Sequence, residues 1–244
     1  MNLLAPDQQR AARQHARNLK SGDAARQSDI DALSAEWEPK VQPPEKARTE
    51  RFAVASPDGS TTGITGPRWL FHLFGIRHRA AEIAFATPSG LIVLQRRSPT
   101  KDQWPDALDM AVAGHIPQRQ DDSDMSFEEG AWKEIAEEIG LPQADASRVI
   151  VEGCLTKVGD PYYCFEGDPQ HNPPFLDAEV RQIFAATLTG EGLARLNFTD
   201  NEVAGIYLTT VELAWQILRE ENIASGLRYS LPRYLDWLER NGRR

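Results

Sequence analysis

Short apolar runs separated by turn residues dominate the chain from residue 51 to residue 116. The segment RFAVASPDGSTTGITG places two such runs on either side of Pro57-Asp58-Gly59, a pattern typical of a β-hairpin. The segment RHRAAEIAFATPSGLIVLQRRS repeats this arrangement around Pro88-Ser89-Gly90 and predicts a second hairpin. The run ALDMAVAGHI that follows predicts one further strand, which ends in a turn.

Residues 126–139 have the clearest helical pattern in the chain. The apolar residues of GAWKEIAEEIGL recur with a period of four, which is typical of a helix that buries one face. Ser126 and Glu129 have the spacing of a capping box, and Gly140 is the expected end of the helix. The sequence therefore predicts a largely enclosed helix with only a narrow polar strip.

The remaining segments complete a mixed set of elements. One or two helices are expected within residues 6–37, because alanine, glutamine and arginine favour helix. The other expectations are a linker over EPKVQPPEKARTE, strands over SRVIVEGCLTKVG and RQIFAATLTG, a strand and helix over NEVAGIYLTTVELAWQILREEN, and a closing helix over LPRYLDWLERNG. Strands and helices are intermixed with several hairpins, which favours an α/β sandwich with a mixed sheet. We expect an accessory region over residues 1–66 and a main domain over residues 67–244.

The amino-acid composition limits the classes of function that this chain can have. The 244 residues are 41% hydrophobic and 26% charged, as in ordinary globular proteins. The formal net charge of −9 argues against binding nucleic acid by phosphate neutralisation. We find neither a secretory signal pattern nor an apolar run long enough for a membrane, so no membrane partner and a cytoplasmic localisation are expected. Cys154 and Cys164 are expected to be reduced and buried, without evidence for a disulfide.

Three carboxylates crowd one face of the predicted helix. Glu134, Glu137 and Glu138 stand at positions i, i+3 and i+4, where side chains are neighbours and like charges repel. Such a cluster on its own is usually a solvated surface. The enclosed helix and the glycine-bearing strand end AVAGH before it favour the alternative, a site for a hard cation such as Mg²⁺, which prefers oxygen ligands.

The segment KEIAEEIGL, residues 133–141, resembles the signature of the Nudix hydrolases, in which an Arg-Glu pair is followed by two further glutamates and a glycine. Gly114 resembles the leading glycine of that signature. The interval from Gly114 to Lys133 is five residues longer than in the family pattern. Lys133 replaces the arginine of the signature, and Met125 stands where the family has a supporting glutamate.

The resemblance implies a Nudix-type α/β/α sandwich, here with an N-terminal helical and hairpin extension, and hydrolysis of a diphosphate linkage. It implies that Glu134, Glu137, Glu138 and the carbonyl of Ala113 hold Mg²⁺ or Mn²⁺, and that Glu134 serves as the base. Glu202 is the candidate for a later assisting acid, against the alternative of a surface loop acid. The expected partner is a small-molecule diphosphate, such as a nucleoside diphosphate derivative.

Cations and aromatic residues upstream of the signature are candidates for substrate binding. Arg96, Arg97 and Lys101 are expected to meet phosphate oxygens, because the arginine fork matches phosphate; the alternative is a solvated cluster at the edge of a loop. Trp104 is expected in a loop, where it could stack on a ring of the substrate. Tyr162 and Tyr163 are also expected in loops. The organic group of the substrate stays open.

The flanking segments resemble particular Nudix subgroups. LIVLQRRSPTKDQWPDALDMAVAGH is similar to the stretch that leads into the signature in isopentenyl diphosphate isomerases. PRWLFHLFGIRHRA is similar to Nudix proteins with an N-terminal extension related to thiamine pyrophosphokinases. The isomerases have a cysteine where this chain has Ala113. The spacing of His72 and His78 does not favour their histidine-rich metal site, and His115 is interpreted as a scaffold residue.

Alternatives to a hydrolase therefore stay open. One is a Nudix-fold protein that binds a ligand without catalysis, as the changes at Met125 and Lys133 and the longer loop would allow. The isomerase is the less favoured alternative. The helical N-terminal region could be a dimerisation arm or a substrate lid, so a homodimer also stays open.

Overall fold

The computed structural model describes residues 2–19, 26–101, 103–121, 123–168, 171–198, 201–220 and 222–242. The nine α-helices found within these residues are α1 (Pro6–Leu19), α2 (Gln27–Val41), α3 (Glu45–Thr49), α4 (Arg68–Phe74), α5 (Phe127–Ile139), α6 (Ala146–Val149), α7 (Gly190–Ala194), α8 (Val211–Glu220) and α9 (Leu227–Arg240). The strands found there are β1 (Arg51–Ala55), β2 (Thr61–Pro67), β3 (His78–Ala86), β4 (Ile92–Arg97), β5 (Leu108–Met110), β6 (Val112–His115), β7 (Thr156–Lys157), β8 (Tyr162–Asp168), β9 (Phe175–Thr187) and β10 (Val203–Thr209).

The chain folds into two compact units that are discontinuous in sequence. The first unit comprises Met1–Ala80, His115–Ser126 and Pro161–Arg181. The second comprises Ala81–Gly114, Phe127–Asp160 and Gln182–Arg244. Strands β3 and β9 each contribute residues to both units. The division of the chain at residue 66 stays a prediction.

The first unit has its own hydrophobic core beside a two-stranded sheet of β1 and β2. These strands pair antiparallel, with Arg51 opposite Pro67. Helix α4, with the sequence RWLFHLF, is buried from Trp69 to Phe74, so it has no polar face. Trp37 of α2 packs edge-to-face on Phe74 at a ring distance of 5.5 Å. The N-terminal helices are therefore part of this core.

The larger sheet includes β4, β5 and β10 of the second unit. The large sheet has the order β10-β4-β3-β9-β7, and β5 also pairs with β4. Strands β10 and β4 are antiparallel, with Thr209 opposite Ile92. The β3–β4 hairpin pairs Phe85 with Val93. The mixed α/β architecture expected from the sequence is confirmed.

Most element predictions hold, and the differences have identifiable causes. Both hairpins, the helices within residues 6–37, α5 and the strand–helix pair β10–α8 are present. The predicted linker is wrong, because α2 continues through Pro39 and α3 follows it. Burial of Trp37 and Val41 in the core of the first unit stabilises that last turn despite the proline.

Two strand predictions and one loop prediction are also wrong in detail. The run ALDMAVAGHI forms two short strands, β5 and β6, instead of one. The segment SRVIVEGCLTKVG is largely helix and turn, with a strand only at Thr156–Lys157. Tyr162 and Tyr163 were expected in loops but lie in β8, which pairs with β9 over its whole length.

Burial of the cysteines differs from expectation at one position. Both cysteines are free, Cys164 is buried, and Cys154 is exposed rather than buried. Within the described ranges we find no helix that combines the length and apolar character needed to cross a bilayer.

Candidate functional site

Helix α5 presents Glu134, Glu137 and Glu138 in different environments. Its apolar face, with Ala131, Ile135 and Ile139, is buried. Residues Glu134 and Glu138 are also buried, with exposed fractions of 9% and 4%. The Glu137 side chain is 55% exposed. The helix therefore carries two acids into the protein interior and leaves the third at the surface.

Lys133 neutralises two of these carboxylates. Its ammonium group lies 2.9 Å from Oε1 of Glu134 and 2.8 Å from Oε2 of Glu137. Burial opposes the charge on Lys133, but the two carboxylates outweigh it and raise the pKa of the lysine. Lys133 therefore links Glu134 and Glu137 by ion pairs.

Glu138 lies among other acids. Burial, followed by the charges of Glu134, Glu202 and Asp109, raises the pKa of Glu138 well above its usual value. The side-chain amide of Gln95 donates a hydrogen bond of 3.2 Å to its Oε2. Glu134 of α5, Asp109 of β5 and Glu202, which precedes β10, therefore all act on Glu138. This concentration of acidic groups around a buried carboxylate favours binding of a cation.

Glu202 joins this cluster through Lys101. The ammonium group of Lys101 donates a hydrogen bond of 2.7 Å to Oε2 of Glu202. The backbone amide of Ser98 also donates to the carbonyl of Glu202, at 2.8 Å. These contacts fix the loop after β4 beside the residue that precedes β10.

Gly114 lies against the carboxylate of Glu134. A Cβ atom added to Gly114 would overlap the Cγ, Cδ and Oε2 atoms of Glu134. The absence of a side chain therefore allows Glu134 to approach the backbone at the end of β6. Ala113 is half-buried next to this glycine. The role of its carbonyl as a metal ligand stays a prediction.

Arg96 and Arg97 bind the loop between β4 and β5. Arg97 donates from Nε and Nη2 to the carbonyl of Gln103, at 3.2 and 3.0 Å, and from Nη1 to Asp109, at 3.1 Å. Arg96 donates from Nη1 to the carbonyl and the carboxylate of Asp106, at 3.0 and 3.1 Å. Their expected role in phosphate binding stays a prediction. Trp104, in the same loop, is 46% exposed.

A cluster of histidines in the first unit was not predicted as a site. His72 of α4, His78 of β3, His115 of β6 and Asp177 of β9 each bring one potential ligand atom to within 4.8 Å of the others. Oδ1 of Asp177 lies 3.4 Å from Nδ1 of His72, 3.3 Å from Nε2 of His78 and 3.6 Å from Nε2 of His115. We call these four residues the histidine centre.

The ring of His78 is oriented as a metal ligand would be. Its Nδ1 lies 2.9 Å from the carbonyl of Ile76, which can only accept, so Nδ1 carries the proton. In the neutral ring Nε2 then directs a lone pair toward Asp177. A backbone carbonyl commonly orients metal-binding histidines in this way.

Several buried atoms of the histidine centre lack a hydrogen-bond partner. These atoms are Nδ1 and Nε2 of His72, Nε2 of His78, Nε2 of His115 and Oδ1 of Asp177. Unsatisfied buried polar atoms are costly, and a cation among them would satisfy several at once. Imidazole nitrogens with a carboxylate suit zinc and other transition-metal ions. The residues present therefore fit a bound metal ion.

The pKa values of two rings in the histidine centre are shifted in opposite directions. Burial lowers the pKa of His72 to about 4. Burial also opposes the charge on His115, but the neighbouring carboxylates of Asp177 and Glu179 outweigh it and raise that pKa to about 9. Oε1 of Glu179 lies 3.0 Å from Nε2 of His115. The charge of Arg181 helps to lower the pKa of Glu179 to about 2 against the effect of burial.

The spacing of His72 and His78 along the chain did not favour them as metal ligands, and His115 was interpreted as a scaffold residue because it is a lone histidine at a strand end. The structure brings all three together from different elements, so spacing was the wrong criterion. One local signal was available. Asp177 and Glu179 alternate in the apolar strand FLDAEVRQIF, so both side chains are on one face of β9.

The described geometry defines a mixed α/β protein with a carboxylate cluster around an acidic helix and a histidine centre. No protein-family model matches the chain. A stretch of 115 residues, 45% of this chain, is 36% identical to Nudix hydrolase 3 of Arabidopsis thaliana. This similarity confirms the resemblance to the Nudix superfamily, while the subgroup stays a prediction. The matched stretch spans 14% of the length of that relative.

Two similar solved structures cover most of their own chains. DR0079 from Deinococcus radiodurans is 19% identical, with a TM-score of 0.48, over 75% of this chain and 98% of the other. A MutT protein from Methanosarcina mazei Go1 is 16% identical, with a TM-score of 0.38, over 68% of this chain and 94% of the other.

Proposed function

We propose that this chain is a metal-dependent Nudix-type hydrolase that cleaves a diphosphate linkage in a nucleoside diphosphate derivative or a related organic diphosphate. The observation that carries the proposal is the carboxylate cluster of Glu134, Glu138, Glu202 and Asp109. Burial, followed by the charges of Glu134, Glu202 and Asp109, raises the pKa of Glu138, and a bound cation would offset both effects. The similarity to Nudix hydrolase 3 supports hydrolysis as the reaction at this cluster.

Glu134, Glu137, Glu138 and the Ala113 carbonyl would hold Mg²⁺ or Mn²⁺, which prefer oxygen ligands. A bound divalent ion supplies charge neutralisation for the diphosphate and lowers the pKa of water. Glu134 is proposed as the base, and Glu202 as the assisting acid. Lys101, 2.7 Å from Glu202, is the cation best placed to meet a phosphate oxygen near the cluster.

Glutamine substitutions in α5 test this proposal. We expect Glu137→Gln to lower Mg²⁺-dependent phosphate release by at least about 100-fold, because it removes one ligand charge without changing the shape of the side chain. The measurement is a diphosphate screen with Mg²⁺ and Mn²⁺, with release of inorganic phosphate after a coupling phosphatase. Glu128→Gln changes an exposed acid of the same helix and is the matched control.

Two outcomes would contradict the hydrolase. Unchanged turnover in Glu137→Gln would remove α5 from the reaction. The wild type could also be stabilised thermally by a ligand and yet turn over no diphosphate with either metal. That result would support the non-catalytic binding protein instead.

A second candidate function is favoured by the histidine centre. An isopentenyl diphosphate isomerase-like enzyme would have a histidine-rich metal site, and His72, His78, His115, Asp177 and Glu179 supply one. Ala113 counts against it, because the isomerases have a cysteine there. Exchange of deuterium from solvent into isopentenyl diphosphate would support this candidate. We expect no exchange from a chain that lacks the cysteine.

A further inference from the structure

The loop between β4 and β5 has an unusual backbone. We call residues 98–101 and 103–107 the tryptophan loop. Trp104 has φ 51° and Asp106 has φ 58°, both in the left-handed region. A bulky side chain rarely adopts this conformation, and such outliers persist only where surrounding contacts hold them. The conformation at Trp104 is therefore imposed by its surroundings.

Two arginines impose this conformation. The Arg97 guanidinium donates twice to the carbonyl of Gln103, at 3.2 and 3.0 Å, immediately before Trp104. Arg96 holds Asp106 on the other side by its carbonyl, at 3.0 Å. Asp109 anchors Arg97 in turn, at 3.1 Å. The backbone on both sides of the tryptophan is thus tied to β4 and β5.

The same loop also reaches the carboxylate cluster. Lys101 pairs with Glu202 at 2.7 Å, and the amide of Ser98 binds the carbonyl of Glu202. The described part of this loop therefore carries a cation beside the cluster, at Lys101, and an aromatic ring that is 46% exposed, at Trp104. The fold keeps this ring in solvent at the cost of an unfavourable backbone conformation, which indicates a binding role.

We propose that Trp104 is the specificity-determining residue for the organic group of the diphosphate, and that its ring stacks on a flat aromatic ring such as a nucleobase or a thiazolium. Arg96 and Arg97 are positioning residues that hold the loop. This inference rests on the proposed function, because it concerns the substrate of the same site. Every ring offers a π-face, so stacking selects ring-bearing diphosphates over ring-free ones without selecting one base.

The test compares ring-bearing with ring-free diphosphates. The probes are ADP and thiamine diphosphate against isopentenyl diphosphate and inorganic diphosphate, with Mg²⁺. KM is measured where the wild type turns a probe over, and Kd elsewhere. We expect Trp104→Ala to raise the ratio of ring-bearing to ring-free constants by about 5- to 150-fold, the range that corresponds to loss of one stacked base. Trp104→Phe should restore most of the preference.

Trp215→Ala is the matched control. Trp215 lies on α8 of the same unit and is 39% exposed, but it has no place in the proposed site. The ratio should not change in this variant. An unchanged ratio in Trp104→Ala, or an equal change in Trp215→Ala, would overturn the inference.

The positioning role has its own test. Arg97→Gln should raise the same ratio, and the double variant with Trp104→Ala should add little to it, because both changes remove one interaction. Asp109 loses a partner in this variant, so Arg96→Gln, whose side chain is 43% exposed, provides a second variant if Arg97→Gln does not fold. Additive effects of the arginine and tryptophan substitutions would overturn the positioning role.

Failure of this inference is distinguishable from failure of the proposed function. Turnover of ring-free diphosphates by a wild type that has no preference for rings would overturn the inference and leave the hydrolase intact. Binding of ring-bearing probes without turnover would support the inference and contradict the hydrolase.

Discussion

The raised pKa of Glu138 makes the stability of the protein depend on pH. Its carboxylate is buried and close to three other acids, so the folded protein favours the protonated form. A raised folded-state pKa contributes stability that is fully present below the unfolded value, near 4.5, and is lost as the pH rises through the folded value. The metal-free protein should therefore lose stability in the pH range above 4.5.

Replacing the ionisable group tests this argument. Glu138→Gln mimics the protonated acid, so the metal-free variant should unfold at a higher temperature than the wild type at pH 8. An increase of about 1 kcal/mol corresponds to roughly 2–4 °C for a chain of this size. The measurement is Tm against pH with a chelator present. A lower Tm at pH 8 would show that the repulsion among these carboxylates is not the dominant effect.

The histidine centre gives a second prediction at the residue scale. Zn²⁺ or Mn²⁺ should raise the Tm of the chelator-treated protein, because a ligand that binds only the folded state stabilises it. His115→Ala should abolish much of this increase. His171→Ala, a change of an exposed histidine in the same unit, should keep it. Equal metal-dependent shifts in both variants would exclude the histidine centre as the site.

Gly114 connects the residue scale to the scale of elements, because it determines how closely β6 and α5 approach. Gly114→Ala should lower diphosphate hydrolysis by at least about tenfold and destabilise the fold by about 1–3 kcal/mol, as overpacked substitutions do. Gly205→Ala on β10 is the control, because a Cβ there meets no atom within 4 Å. Kinetics and thermal unfolding check both variants. Wild-type behaviour of Gly114→Ala would show that Glu134 moves away freely.

Elements with strong local signals could be predicted, and others could not. Helix α5 has a capping signal, an apolar period and Gly140, whose φ of 72° ends it in the left-handed conformation. Helix α4 is buried from Trp69 to Phe74, so its sequence has no alternation of apolar and polar faces that would identify a helix. Strand β8, YYCFEGD, alternates weakly, and its pairing with β9 is a long-range contact.

The same contrast applies to the candidate sites. Glu134, Glu137 and Glu138 share one face of α5, so their proximity follows from local geometry. The histidine centre draws on α4, β3, β6 and β9, and only the tertiary fold brings these elements together. The contacts of Arg96 and Arg97 with the tryptophan loop likewise depend on a backbone conformation that residue types do not indicate.

At the scale of the whole molecule, the N-terminal region is part of a core. Leu4, Ala12, Ile30, Trp37 and Val41 are buried together with residues of β1 and α4 in the first unit. The role of the N-terminal region as a dimerisation arm or a substrate lid stays a prediction. The helices α1 and α2 therefore stabilise the unit that contains the histidine centre.

A single substitution tests this role without truncating the chain. Trp37→Ala should destabilise the protein by about 3–5 kcal/mol, because it removes a large side chain that is 1% exposed and packs on Phe74. It should also weaken metal-dependent stabilisation at the histidine centre, since α4 carries His72.

Leu3→Ala, at a residue that is 77% exposed, is the control for a change in the same region. Thermal unfolding with and without Zn²⁺ measures both effects, and sedimentation reports the mass. A Trp37→Ala protein with wild-type stability but a halved mass would instead identify the region as a dimerisation arm.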